Sequence, residues 1–247
     1  MKILVLLAPV LDTEVKIKPD ASKMAVDTTG IQQVINPWDE FALTRAIELK
    51  EQHPESVEKI VVATVGTQSV EPVMRKALAI GADEACRIDC EPSDAFFTAT
   101  QLAQVARDFD LVFAGVEGSD YNNSAVGAML AEMIGIESLG SVASLDIKDD
   151  KFVAGCDING TLFTVTAPAP LLVVIQKGIA DMVRIANMRG ILSAKSKPLK
   201  VLEPVGCDVR TEVVATELPP MKEKCKMIAE DEAAELVRLL REEARVL

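Results

Sequence analysis

Short apolar runs alternate with amphipathic stretches over most of this chain. Residues 2–7, 59–65, 85–88 and 110–114 are rich in Val, Ile, Leu and Ala, which is the pattern of buried parallel strands. Helical spacing of apolar residues follows each of them. Positions 38, 41, 42, 43, 46, 47 and 49 form one stripe of a first helix. Further helices are predicted over 70–80, 94–108 and 128–134. Asn36 is placed to cap the first, with Pro37 in its opening turn. Gly81 ends the second, and Ser93 or Asp94 caps the third. Residues 14–34 alternate only weakly and read as a short hairpin or an extended excursion. Strand, helix and short loop repeating in this way predict right-handed βαβ units and a doubly wound, mostly parallel sheet.

The second half departs from that rhythm. Residues 138–145 read as a strand and 146–151 as a polar turn. Residues 152–158 and 161–166 flank Asn159-Gly160, a strong hairpin signal. Residues 171–175 are another buried strand. Residues 177–190 are loop-like, and 191–202 carry Lys195, Lys197 and Lys200. From residue 203 the βαβ pattern stops. Residues 209–214 could be extended, Pro219-Pro220 is a break, and 231–245 form an amphipathic helix. Residues 1–203 therefore form an α/β domain, and 204–247 an extended arm ending in a helix. The arm either packs on a partner subunit or folds back on its own domain.

Residues 115–127 hold the densest candidate chemistry. A buried strand precedes them and a helix follows. Between lie Gly115, Gly118, Gly127 and a cluster of Ser, Asp and Asn. A crevice at the carboxyl end of a parallel strand is where such sheets hold ligands. A helix N-terminus there is an anion site. Asn123 and Ser124 could cap the helix or donate to phosphate oxygens. The same residue types also make a capped loop without a ligand. Trp38, the single tryptophan, is either a core anchor or a ring packed on a planar ligand. His53, the single histidine, lies in a polar loop and reads as solvated surface.

Composition narrows the function classes. The net charge of −12 argues against nucleic acid as a partner. No run approaches the length that spans a bilayer, and residues 1–8 are too short an apolar stretch for a signal peptide. The five cysteines have no metal-ligand spacing and read as free thiols of a reducing cytoplasm.

Four segments carry a family resemblance: Asn36-Pro37 opening a helix that ends Ala46-Ile47-Glu48-Leu49-Lys50; Arg75 through Glu84; the loop with Gly115, Asp120 and Gly127; and Arg184 through Ala194. In this order and spacing, residues 1–203 resemble the small (beta) subunit of electron-transfer flavoproteins. The resemblance implies a Rossmann-like, adenine-nucleotide-hydrolase-like fold in a heterodimer. It implies an alpha-subunit partner that holds most of the FAD, and electron transfer from flavin dehydrogenases to a downstream acceptor. It implies AMP in the beta subunit, held by Leu6, Leu7, Ala8, Asn36, Pro37, Trp38, Asp39, Val65, Gly66, Asp120, Asn122, Asn123, Ser124, Ala125, Val126 and Gly127. Members that bifurcate electrons hold a second FAD there instead. Their loop has an acid and a Gln where this chain has Asn122 and Ala125, which favours AMP. The chain also departs from the family at Val116, where Lys or Arg is usual, and at Glu117-Gly118-Ser119. The dehydrogenase-docking segment falls at 184–193, with Arg184, Met188 and Ile191, and Met188 takes the place of an apolar anchor.

Two readings from other classes compete. A stand-alone regulatory nucleotide-binding protein of the universal-stress type shares the architecture. It would leave the arm unexplained, and its phosphate loop is not found here. An ATP-pyrophosphatase-type enzyme would need a Ser-Gly-rich loop after the first strand, where this chain has Ala8-Pro9-Val10-Leu11-Asp12.

Overall fold

The protein is described here by a computed structural model covering residues 1–222 and 225–247. In chain order its strands are β1 (Lys2–Leu6), β2 (Pro9–Leu11), β3 (Gln33–Ile35), β4 (Lys59–Val65), β5 (Glu84–Ile88), β6 (Leu111–Gly115), β7 (Glu137–Lys148), β8 (Lys151–Ile158), β9 (Thr161–Ala167), β10 (Leu171–Ile175) and β11 (Leu199–Leu202). Its helices are α1 (Pro37–Gln52), α2 (Glu71–Ile80), α3 (Ala95–Ala106), α4 (Val126–Ile134), α5 (Met188–Ala194) and α6 (Ala233–Glu242). Nine strands form one sheet in the order β11-β5-β4-β1-β6-β10-β7-β8-β9. All pairings from β11 to β7 are parallel, and β8 and β9 add an antiparallel edge.

The two-residue period of the strands divides the core into two layers. Ile3 and Val5 of β1 face the side covered by Leu43 and Ala46 of α1 and by Met74 and Leu78 of α2. Leu4 and Leu6 face the opposite side, with Leu102 of α3 and Leu130 of α4. Each fully buried aliphatic side chain contributes about 1.5–3 kcal/mol. This two-sided burial makes the strands read as unbroken apolar runs. It is also the doubly wound architecture the pattern predicts.

Several local expectations shift. The weakly alternating excursion is pinned by β2 pairing antiparallel with β3 and by a bridge between Pro19 and Val26. The segment after β10 is loop only as far as Asn187, whose side chain accepts from Gly190 N–H at 2.8 Å and starts α5. Residues 199–202 are not merely a lysine-bearing stretch. They form β11 and pair with β5 at the sheet edge. Residues 209–214 form no strand, since no neighbouring strand pairs with them. Asn159 and Gly160 both take positive φ, as a tight hairpin turn requires.

The arm leaves the domain along α3. The buried Gln101 accepts from Val205 N–H at 2.9 Å and donates to Val205 O at 2.8 Å. Asp94 caps α3 by accepting from Phe97 N–H, and its other oxygen accepts from the Arg210 and Thr211 amides. Farther on, Thr216 N–H donates to Lys23 O at 2.7 Å.

Candidate functional site

Strand order reverses between β1 and β6. From β1 the chain builds outward through β4 to β5, then returns to lay β6 on the other side of β1. The carboxyl ends of the strands open there into a cavity of about 230 Å³.

One carboxyl spans the reversal. Asp39, in the first turn of α1, accepts from Ala8 N–H at 2.7 Å with Oδ2 and from Gly115 N–H at 3.2 Å with Oδ1. It thereby joins the ends of β1 and β6. The residue is 3 % exposed. Burial pushes its carboxyl pKa up to about 7, against the pull of the Ala8 amide, the Asn36 side chain and the Gly115 amide; the charge of Asp120 adds to the rise.

Asn36 does not cap α1 with its side chain. Its Nδ2 donates to Glu117 O at 2.9 Å, and its Oδ1 accepts from Ser119 N–H at 3.3 Å. The side chain holds the β6–α4 loop instead. At α4 the N-cap is Ala125, with no side-chain cap, and neither Asn123 nor Ser124. Ser124 and Asn122 lie at φ +52° and +50°, away from the extended conformation a capping residue needs. The first-turn N–H groups of α4, unpaired within any helix, are thus not taken by a capping side chain. Gly127 lets α4 approach the sheet. A Cβ there would stand 3.0 Å from Ala114 Cβ and 3.1 Å from Val174 Cγ2.

The cavity brings together Leu6, Leu7 and Ala8 of the β1 end, Asn36 and Asp39 of the α1 start, and Val65 of β4. Asp120, Asn123, Ser124, Ala125, Val126 and Gly127 join them in the lining. Four other expected residues lie outside the lining. Pro37 is exposed. Trp38 is half-buried behind Gly115 and belongs neither to the cavity wall nor to the buried core. Gly66 ties strand ends together, donating to Ile88 O and accepting from Arg87 Nη1 at 2.9 Å. Asn122 is exposed and donates its N–H to Gly118 O. His53 is half-buried at the end of α1, where its N–H bonds Leu49 O, and is not free surface.

Sequence reasoning missed one wall. Pro92, Ser93, Ala95 and Thr98, from the loop after β5 and the start of α3, line the cavity. The carboxyl-end rule applied to β5 would have found them, but Ser93 was legible only as a helix cap. The lining carries the carboxyl groups of Asp39, Glu117 and Asp120, and no Lys, Arg or His among the described residues.

A second surface lies apart from the cavity. Met182, Ile185, Met188 and Leu192 are 62–88 % exposed along the segment after β10. Arg184 anchors this segment to α1: its N–H donates to Thr44 Oγ1, and its guanidinium pairs with Glu51. Ile191 is exposed on α5 beside Met188. Arg75 of α2 donates to Ala194 O and Lys197 O, at 2.8 and 2.9 Å. Gly190 sits against Ala79 O, where a Cβ would overlap the carbonyl. Among the described residues no helix is long and apolar enough to cross a membrane, and no cluster of three or more His, Cys, Asp or Glu is placed to hold a metal. All five cysteines are free.

This is a doubly wound α/β protein whose cavity opens where the strand order reverses, the class in which ligands are held by loops rather than by the sheet itself. Comparison with known proteins narrows the class. The family model described as the electron transfer flavoprotein domain matches residues 23–205. The chain is 34 % identical to the electron transfer flavoprotein subunit beta of Bacillus subtilis strain 168, over 263 aligned positions and the full length of both. It is 35 % identical to the subunit beta of Methylophilus methylotrophus, covering 81 % of this chain and 78 % of the relative. The subunit beta of Syntrophomonas wolfei is 29 % identical over 90 % and 87 % of the two chains. The chain belongs to the electron transfer flavoprotein family, on the beta-subunit side.

Proposed function

We propose that this chain is the beta subunit of a heterodimeric electron carrier. It accepts electrons from flavin dehydrogenases and passes them to a downstream acceptor. An alpha subunit holds most of the FAD and this chain helps to enclose it. Its own cavity holds AMP as a structural ligand. The observation that carries this reading is the convergence, at the β1–β6 reversal, of residues from chain segments far apart in sequence. Leu6, Val65 and Leu102 offer an apolar wall to a base. The uncapped first turn of α4 offers N–H donors to a phosphate. Ser93, Thr98 and Ser124 add hydroxyls to the lining. No side chain of this subunit is asked to make or break a bond; redox chemistry comes from the flavin.

Arg184, Met188 and Ile191 form the docking segment for dehydrogenases in this reading. A patch of flexible thioether and aliphatic side chains suits several partners in turn. The arm from residue 204 serves the alpha subunit.

The test is to co-express the chain with the alpha subunit, purify the complex, denature it and count the released nucleotides. One FAD and one AMP per heterodimer is the expected result. Two FAD and no AMP would place the protein with the bifurcating members. Failure of any flavin-bearing partner to co-purify would favour a stand-alone regulatory nucleotide-binding protein.

A further inference from the structure

We propose that this cavity takes up its nucleotide together with a proton, and that Asp39 is where the proton goes. The inference rests on the nucleotide reading above and adds a charge rule to it. Asp39 is buried, lines the cavity and holds the ends of β1 and β6 through two backbone amides. Both of its oxygens are already engaged, so a ligand cannot bring those amides closer to compensate an ionised carboxyl.

Among the described residues, the cavity lining supplies no counter-charge. The β6–α4 loop presents Glu117 and Asp120. The ends of β1 and β4 present Leu6, Leu7, Ala8, Thr64 and Val65, none of them charged. On α1 itself, Glu40 is turned to Lys76 at 2.6 Å. A nucleotide filling the crevice removes the remaining water from Asp39 and adds phosphate charge nearby. Both changes disfavour the carboxylate. The carboxyl already sits poised near neutrality, at about 7, so the cost of protonating it is small. Oδ1, whose bond to Gly115 N–H is the longer, can carry the hydrogen while Oδ2 goes on accepting from Ala8. The balance is one nucleotide bound and up to one proton drawn from solvent.

The experiment is calorimetric titration of the full-length chain, stripped of nucleotide, with AMP in buffers of different ionisation enthalpy. The expected result is uptake of about half a proton per AMP at pH 7, rising towards one at pH 8, with Kd weakening up to about ten-fold per pH unit above 7. Asp39→Asn should abolish both the uptake and the slope. If that variant does not fold, the pH at which uptake on the unaltered chain is half-maximal decides: near 7 for Asp39, and near 6, which overturns the assignment, for the phosphate. A phosphate monoester itself titrates near pH 6. Uptake that persists in Asp39→Asn therefore puts the proton on the ligand or on a neighbour and overturns the assignment. Proton release, or binding with no exchange, overturns it too and leaves the nucleotide reading standing. Absence of AMP binding to the chain and to its heterodimer overturns both.

Discussion

Asn36 and Glu117 stand 81 positions apart in the chain, and the Asn36 amide donates to the Glu117 carbonyl at 2.9 Å. This contact, with its companion to Ser119 N–H, couples the start of α1 to the loop that closes the cavity. Asn36→Asp keeps the acceptor for Ser119 but sets a carboxylate oxygen against the Glu117 carbonyl. The expected cost is about 1–3 kcal/mol. Thermal unfolding reads it directly, and an unchanged Tm would show that the loop is held by other means.

Asp39 also sets a pH dependence of folding, apart from any ligand. Its folded pKa lies above the usual 3.8, at about 7. Between those values the folded chain binds more protons than the unfolded one, so stability from this group is full below the lower value. It is lost as pH rises through the upper one. From pH 5 to pH 8 the parent should lose on the order of 2–3 kcal/mol more than Asp39→Asn. Urea unfolding of both at the two pH values measures the difference; parallel curves would show that Asp39 ionises freely.

Gly115 has no room for a side chain. An added Cβ would overlap Asp39 Oδ1 and stand 2.8 Å from Trp38 Cβ. Gly115→Ala should therefore destabilise the fold by about 1–3 kcal/mol and weaken AMP binding together. Equilibrium unfolding and nucleotide titration on the same preparation test whether the two effects move together.

Much of this was legible from residues alone, and the exceptions share a cause. The strand–helix alternation and the Asn159-Gly160 turn depend on neighbours in sequence, so their signals are local. Asn36, Asn123 and Ser124 looked like caps because capping and long-range hydrogen bonding use the same side-chain oxygens and amides. Only the fold shows that Asn36 reaches Glu117 and that Ser124 is left-handed. Residues 199–202 lacked a strand signal because β11 is an edge strand, half exposed and bearing Lys200. Trp38, read as a core anchor or as a ring on a planar ligand, is half-buried and lies outside both the buried core and the cavity lining.

Gln101 gives a way to loosen the arm without touching the cavity. Its amide pairs with both the N–H and the carbonyl of Val205. Gln101→Leu fills the same buried space but leaves both groups unpaired. Hydrogen exchange at Val205 and the following residues should speed by about five-fold to a hundred-fold, given a loss of about 1–3 kcal/mol. The amides of β1 and β4 should keep their protection. If the arm remains protected, the contacts at Asp94 and at Lys23 O hold it.

Gly190→Ala tests the docking role proposed for residues 184–193. Contact with Ala79 O would push α5 off α2 and shift Met188 and Ile191 together. In the heterodimer this should raise KM for a flavin dehydrogenase several-fold, with kcat and flavin content unchanged. A fall in flavin content instead would assign α5 a structural role.

The place of β11 at the far edge of the sheet has a consequence for how the chain is made. On the ribosome β1, β4, β5 and β6 can assemble early, yet the outer edge of β5 stays uncovered until residues 199–202 emerge. A nascent chain halted before that point presents a bare row of amides and carbonyls, the template on which stray strands gather. The last strand to arrive is thus the one that protects the first half of the domain.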